Sequence, residues 1–276
     1  KILNVCRKAL IFVLGLGVFL FVIGISNSGL SRRGVSGLGF GHPNVTAQLL
    51  MIIILLWVSE KAGKLKPIHY IGIELSGLIT FLLTDSKTST IVIFSIPFVM
   101  VFSEKIMSRT WYSKVPKFLM TYSQLLVMLF TYLSARFLET SSILKTLDLV
   151  FTNRLFLNYY ALNKFGIKLF GQNVTLSDNS GTIYNNIHGW YNWSVTCDCS
   201  YMATLLVMGF IPTVIILIGY ILLMKKAIKR HNYMIMSVAL LLAIYSFCES
   251  QMLEVYSSFV YFYLIADDIV LDNSKV

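Results

Sequence analysis

Long apolar runs dominate the chain and are separated by short polar segments. Each run is continuous, without the strict alternation of apolar and polar positions that marks a barrel strand, so helices are favoured. A helix needs about 20 mainly apolar residues to cross a hydrocarbon core of roughly 30 Å. The pattern therefore predicts an all-α, polytopic integral membrane helix bundle, with residues 1–276 forming a single membrane domain. Eight transmembrane helices are predicted, at 9–26, 43–59, 67–84, 89–102, 118–135, 201–224, 233–248 and 255–266.

The polar segment 136–200 is the longest interruption of this pattern. Within it, apolar residues recur at spacings of three and four, at Leu144, Leu147, Phe151, Leu155, Tyr159, Leu162 and Phe165. That spacing corresponds to one face of a helix and predicts an amphipathic helix inside the loop. Such a helix either lies on the membrane surface or packs on the end of the bundle, and the sequence favours neither arrangement.

Basic residues orient the predicted helices, because short cytoplasmic loops collect Lys and Arg. Fourteen of the 23 basic residues lie in four alternate segments, as Lys1, Arg7, Lys8, Lys61, Lys64, Lys66, Lys105, Arg109, Lys114, Lys117, Lys225, Lys226, Lys229 and Arg230. These segments and both termini are therefore predicted to be cytoplasmic. The loop 136–200 falls on the external side, so we expect the chemistry to face outward.

Composition leads to the same class of protein. With 56% apolar residues, 13% charged residues and a mean hydropathy of +0.72, the chain is not a soluble globular domain. The cytoplasmic segments account for the net charge of +10, so no nucleic-acid partner is predicted. No A-x-A-like cleavage site follows the first apolar run, which argues against a signal peptide. Because that run begins so soon after Lys1, we expect the chain to be the later part of a longer protein that has further N-terminal helices.

The cysteines do not indicate a disulfide framework. Cys6 is predicted to be cytoplasmic and Cys248 helical, while Cys197 and Cys199 are too close in sequence for easy bridging. No Cys/His cluster has zinc spacing, and the sequence contains no Walker loop, nucleotide fingerprint or nucleophile elbow. Neither a metal nor a cofactor is predicted.

Cationic side chains on the predicted external side are the first candidates for chemistry. They are Arg32, Arg33, Lys87, Arg136 and Arg154. A guanidinium recognises phosphate or carboxylate in a bidentate manner, although an interfacial anchor is the commoner role for any one such residue. His42 either donates to an anion or exchanges a proton, or it is a polar residue preceding the helix that starts at Pro43.

Acidic side chains offer fewer clues. Glu74 lies inside a predicted transmembrane helix, where it is either protonated and hydrogen-bonded or lines a wet cavity. Asp198 and Glu249 are predicted to be external, and either could act as a general base, although ordinary surface solvation is the simpler explanation for each alone.

Several stretches together resemble one family. They are "RRGVSGLGFGHPN" before a helix, "LLTDSKTS" between two helices, "LDLVFTNRLFLNYYALNKFGIKLFGQNV" in the large loop, "CDCSYMATLLVMGFIP" at the next helix, and the late Glu249. In this order they resemble the Wzy-type polymerases of bacterial capsule, exopolysaccharide and O-antigen, which are related to the O-antigen ligases. The resemblance spans most of the chain.

The resemblance implies a GT-C-like bundle in the bacterial plasma membrane with its active site facing outward. Its substrates are undecaprenyl-pyrophosphate-linked oligosaccharides, and its implied partners are a flippase and a chain-length regulator. The resemblance implies catalytic roles for Arg154 and Arg33 on the pyrophosphate, with His42 in support. The required chemistry adds a base for the acceptor hydroxyl, for which Asp198 and Glu249 are the candidates in the catalytic set. Binding of the pyrophosphate and glycan is assigned to Arg32, Lys87, Arg136, His188 and Tyr201, and His188 is also a candidate base.

Two departures from the family pattern are visible. Cys199 stands where the family has Asn, and the segment 172–196 is longer and more polar than in the family. Two other functions remain open at this stage. One is an O-antigen-ligase-like glycan transferase with the same donor and a different acceptor, and the other is a transporter or flippase. The near absence of ionisable residues inside the helices disfavours transport.

Overall fold

Helices make up most of the chain that the computed structural model describes. The described residues are 2–26, 36–40, 42–61, 65–108, 114–174, 180–185, 189–194, 197–249 and 258–265. Their helices are α1 (Ile2–Val22), α2 (Pro43–Lys61), α3 (Pro67–Thr84), α4 (Lys87–Ser108), α5 (Lys114–Thr121), α6 (Ser123–Phe137), α7 (Ser142–Val150), α8 (Arg154–Phe165), α9 (Ser200–Val207), α10 (Phe210–Lys229), α11 (Tyr233–Cys248) and α12 (Phe262–Ile265). A 3-10 turn at Ser258–Tyr261 leads directly into α12.

Five of the described helices are long and apolar enough to cross a membrane, namely α1, α2, α3, α4 and α10. A sixth span results if α5 and α6, which meet at a bend of 61°, are counted together. The apolar helix α11 has only 16 residues. The chain is thus a polytopic helical membrane protein, as predicted. The count of eight spans stays a prediction.

The chain divides into two compact units, and the first comprises Lys1–Lys117 and Lys226–Leu241. In this unit α1 packs on α2, and the Arg7 guanidinium on α1 donates hydrogen bonds to the Glu60 carboxylate on α2. The glycine-rich stretch before α2 packs on α1: Gly39, at φ 92°, lies so close to Gly17 that a Cβ on it would come within 2.3 Å of the Gly17 carbonyl oxygen. The close backbone approach at Gly39 therefore serves helix packing.

The second unit comprises Phe118–Lys225 and Leu242–Val276. Its core joins α6, α8 and α9 through buried side chains such as Ala135, Phe156 and Met202. Burial of a large apolar side chain of this kind contributes roughly 1.5–3 kcal/mol. This packing holds α8, which begins at Arg154, firmly against its neighbours.

The amphipathic helix predicted in the large loop is two helices, α7 and α8, separated by residues 151–153. The residues of the predicted apolar face pack on the core of the second unit, and Leu155 is fully buried. Of the two arrangements that the spacing allowed, the described contacts fit packing on the bundle. Ile143, Leu149 and Val150 on the other side of α7 are exposed.

A break between α9 and α10 corrects the prediction of one helix over 201–224. Gly209, at φ 89°, ends the helical geometry, and an extended segment after α8 then satisfies the freed backbone groups. The N–H groups of Phe210 and Ile211 donate to the carbonyls of Lys168 and Leu169, at 2.8 and 3.0 Å. Gly209 is needed at this point because a Cβ there would come within 2.5 Å of the Phe170 backbone.

A two-stranded antiparallel hairpin is the exception to the all-α expectation within the described chain. Strand β1 (Ser180–Asn185) pairs with β2 (Gly189–Ser194), in the register that joins Ser180 to Ser194 and Asn185 to Gly189. The hairpin lies within 172–196, the segment that departs in length and polarity from the family pattern.

Candidate functional site

Arg154 and Glu249 form an ion pair in the second unit. Arg154 Nη2 lies 3.3 Å from Glu249 Oε1, and the two side chains are 17% and 13% exposed. Arg154 is the first residue of α8, and Glu249 directly follows α11. The pair therefore joins the predicted external loop to the end of a helix 95 positions away in the sequence.

The turn before Arg154 has an uncommon backbone conformation. Thr152 and Asn153 both have positive φ, 54° and 64°, and a β-branched residue rarely adopts this region. Such residues cost about 1–3 kcal/mol each and persist where their surroundings determine them, often at functional sites. Backbone hydrogen bonds close the turn, from Asn153 N to Asp148 O at 2.8 Å and from Arg154 N to Phe151 O at 3.2 Å.

The Arg154 guanidinium is only partly engaged. Of its five N–H groups, one on Nη1 donates to Thr152 Oγ1 at 3.0 Å and one on Nη2 donates to Glu249. The Nε atom is buried and has no hydrogen-bond partner among the residues that the structure describes. An unpaired buried donor costs roughly 1–3 kcal/mol, so an additional acceptor oxygen that bonded to Nε would be stabilising.

The ion pair between Arg7 and Glu60 in the first unit has a more complete geometry than the pair between Arg154 and Glu249. Arg7 Nε lies 3.0 Å from both carboxylate oxygens of Glu60, and Arg7 Nη2 lies 2.9 Å from Oε2. This short, closed fork is typical of a structural pair. The single longer contact between Arg154 and Glu249 instead leaves N–H groups of the guanidinium without an acceptor among the described residues.

The start of α9 contacts the Glu249 end of the pair, and a segment with two thiols precedes it. Ser200, at the start of α9, donates its hydroxyl to the Glu249 carbonyl oxygen. Asp198 is half-buried, and Cys197 and Cys199 on either side of it are buried. Burial raises the pKa of both thiols above the ordinary value for cysteine. The pKa of Cys197 is raised well above that value, and the neighbouring Cys199 contributes to this rise. Both thiols therefore stay protonated near neutral pH.

The remaining predicted residues of the second unit differ in position. Arg136 is exposed near the C-terminal end of α6. Tyr201 is 1% exposed, and its hydroxyl donates to the Ala243 carbonyl oxygen at 2.6 Å. These are the contacts of a core residue, and its assignment to substrate binding stays a prediction.

His42 and Lys87 belong to the first unit. His42 is exposed, and its Nδ1 accepts the N–H of Asn44 at 3.2 Å, which fits the alternative role of a polar residue at the start of α2. Lys87 is exposed at the first position of α4. Arg32, Arg33 and His188 lie outside the described residues.

Three residues beside Arg154 and Glu249 were not among the predicted site residues. They are Asp148, Thr152 and Ser200. Asp148 is completely buried, and its Oδ1 accepts the N–H of Phe156 at 3.0 Å. A carboxylate six positions before a candidate arginine, inside an apolar helical pattern, was the available sequence signal, because buried carboxylates require specific partners.

The site holds no evident metal-binding set: within the described ranges, no group of three or more His, Cys, Asp and Glu side chains could hold an ion. No protein-family model, curated protein or solved structure matches the chain. The fold thus defines the class, a polytopic helical membrane protein with a partly buried arginine site.

Proposed function

We propose that the chain polymerises undecaprenyl-pyrophosphate-linked oligosaccharide repeat units on the outer face of the bacterial plasma membrane. We further propose the eight spans, cytoplasmic termini and external loop 136–200 that the apolar runs and basic residues predict, together with the GT-C-like arrangement that the resemblance implies. The observation that supports the polymerase proposal most is the incompletely paired guanidinium of Arg154 in that loop.

In the proposed reaction, an acceptor hydroxyl oxygen bonds to the anomeric carbon of the growing glycan. The bond from that carbon to the pyrophosphate oxygen breaks, and its electron pair leaves with undecaprenyl pyrophosphate. The proton of the acceptor hydroxyl passes to a base. The leaving group gains negative charge during this step, and a preorganised cation stabilises that charge.

Arg154 suits this role for two physical reasons. Its side chain is 17% exposed, so its charge is only partly screened by solvent. Its position is set by Thr152 and Glu249 before any ligand arrives, which reduces the reorganisation that binding requires. A phosphate oxygen would complete the hydrogen bonding of the guanidinium.

Glu249 has two compatible roles in the proposal. As a carboxylate it could accept the proton of the acceptor hydroxyl. As the partner of Arg154 it holds the guanidinium in place. The variant Glu249→Gln separates these roles, because the amide keeps a hydrogen-bond acceptor for Arg154 and cannot serve as the base.

The test is deletion of the protein in its native cell, with complementation by wild-type chain, Arg154→Ala or Arg154→Lys, and gel analysis of lipid-linked glycan. We expect wild type to restore long polymer and Arg154→Ala to leave single lipid-linked repeat units on the outer face of the membrane. Arg154→Lys keeps the charge and loses the planar fork, so it should restore polymer poorly.

The other outcomes identify other functions. Free, fully polymerised glycan in the deletion strain indicates a ligase, and repeat units trapped on the cytoplasmic side indicate a flippase. Arg7→Ala is the matched control, because it also removes an ion-paired arginine, one that lies in the first unit. Unchanged polymer length with Arg154→Ala, in protein that is inserted normally, rules out the role of Arg154.

A further inference from the structure

The first turn of α8 is capped in an unusual way. The residue preceding a helix normally accepts an N–H of the first turn with its own side chain. Asn153 occupies this place in a left-handed conformation, but its side chain makes no cap hydrogen bond, and its Oδ1 is buried without a partner among the described residues. The side chain of Asn153 therefore does not cap α8.

Asp148 supplies the missing cap from α7. Its Oδ1 accepts the N–H of Phe156, the third residue of α8, at 3.0 Å. Its carbonyl oxygen accepts the N–H of Asn153 at 2.8 Å. One residue thus bonds to the last residue of the turn that contains Thr152 and to the first turn of α8, and it does so from a position with no solvent exposure.

Arg154 lies between these two hydrogen bonds in the sequence. The bond to Asn153 fixes the backbone just before Arg154, and the bond to Phe156 fixes it just after. The Thr152 hydroxyl that accepts from Arg154 Nη1 lies inside the same turn. Loss of the Asp148 carboxylate should therefore loosen the backbone on the Phe156 side of Arg154, while the main-chain bond to Asn153 remains.

We infer that Asp148 is the positioning residue of Arg154: its buried carboxylate holds the first turn of α8, next to its main-chain bond to Asn153, and so directs the guanidinium toward Glu249. An effect of Asp148 on glycan transfer rests on the proposed function. The effect of Asp148 on the position of Arg154 is independent of that function. Asp148 itself does not contact the substrate, because its side chain is completely buried.

The test measures the reactivity of individual arginines in the full-length chain purified in detergent. Phenylglyoxal modifies accessible guanidinium groups, and mass spectrometry quantifies each site. Exposed Arg136 serves as the fast internal reference and Arg7, in its closed fork, as the slow one. In the wild type, Arg154 should react more slowly than Arg136.

Asp148→Ala should raise the modification rate of Arg154 roughly tenfold, since loss of a buried hydrogen bond shifts local opening by about this factor. Asp148→Asn keeps an acceptor oxygen for Phe156 N–H and should stay near the wild-type rate. Arg7 should be unchanged in both variants. An unchanged Arg154 rate in a folded Asp148→Ala variant overturns the inference.

Ser141→Ala is the matched structural control. Ser141 caps α7 in the same unit by accepting the N–H of Leu144 at 3.3 Å, so its loss removes an ordinary cap. This variant should lose stability without a change in the Arg154 rate. An equal rise of the Arg154 rate in Ser141→Ala would mean that Asp148 acts only through general stability.

A measurement on the wild type keeps the inference testable if Asp148→Ala does not fold. First-turn amides of a helix normally exchange their hydrogen quickly because they have no intrahelical acceptor. Phe156 N–H should instead be as protected as the amides in the middle of α8. Fast exchange at Phe156 contradicts the inference.

The activity measurement separates this inference from the proposed function. With lipid-linked repeat units as substrate, Asp148→Ala should reduce kcat/KM in the same direction as Arg154→Lys, and Asp148→Asn should restore it. If Arg154→Ala polymerises normally, the proposed function fails, and the labelling result still decides whether Asp148 positions Arg154.

Discussion

Arg154 donates to the hydroxyl of Thr152, two residues before it, at 3.0 Å, while Thr152 has a φ of 54° that β-branched residues rarely adopt. The side-chain contact and the backbone strain occur at the same residue. A threonine at this position strains the backbone, and its hydroxyl provides a hydrogen-bond acceptor for the Arg154 guanidinium. This combination is typical of a position whose local conformation serves a site.

Replacement of Thr152 separates these two effects. Thr152→Val keeps the shape and removes the acceptor, so we expect a roughly 5–30-fold loss of polymerisation, which corresponds to 1–2 kcal/mol. Thr152→Ser keeps the hydroxyl and should retain most activity. Thr152→Gly removes both strain and acceptor, and it should raise thermal stability while lowering activity. Polymer gels and thermal unfolding in detergent measure the two effects, and equal activity of the Val and Ser variants would contradict the role of the hydroxyl.

The two ion pairs should respond differently to the same conservative change. Arg7→Lys breaks the fork on Glu60 and should lower stability by about 1–2 kcal/mol, since several charged hydrogen bonds are lost. Arg154→Lys loses one longer contact to Glu249 and an exposed hydrogen bond to Thr152, and it should cost less than about 1 kcal/mol. Thermal unfolding of both variants in one detergent tests this order. A larger stability loss for Arg154→Lys would mean that its pair is the structural one.

Sequence reasoning located the main elements and Arg154, because continuous apolar runs and loop charge are local signals. It missed the division into α7 and α8, since Thr152 and Asn153 include neither Gly nor Pro. It placed Glu249 among several candidate carboxylates, because nothing in the sequence links it to a residue 95 positions earlier. The break at Gly209 did carry a signal: Gly209 followed by Pro212 is a common pattern where one helix ends and the next begins.

The buried thiols give a prediction about pH. Burial raises the pKa of Cys197 and Cys199, and the thiolate is the reactive form. Between the ordinary thiol pKa of about 8.5 and the raised values, both groups stay protonated in the folded chain and ionise in the unfolded chain. Stability from these groups is therefore complete below about pH 8.5 and declines as the pH rises above it.

Maleimide labelling followed by mass spectrometry checks this prediction. We expect both cysteines to react much more slowly in the folded protein than after denaturation with SDS at the same pH. The labelling rate of the folded protein should begin to rise only at higher pH than that of the denatured protein. Fast labelling of Cys199 at neutral pH would contradict its burial.

The break between α9 and α10 gives the last prediction. Gly209 has a φ of 89°, and a Cβ there would lie 2.5 Å from the Phe170 backbone, so Gly209→Ala meets both strain and a clash that no side-chain rotation relieves. We expect a loss of more than about 2 kcal/mol, seen as a lower unfolding temperature in detergent. Gly219→Ala is the control on α10, because its Cβ would make only ordinary contact with Tyr261 at 3.6 Å. That variant should be neutral or slightly stabilising, since alanine favours a helix over glycine by up to about 1 kcal/mol. Equal stability of the two variants would mean that the segment after α8 does not cross the break at Gly209.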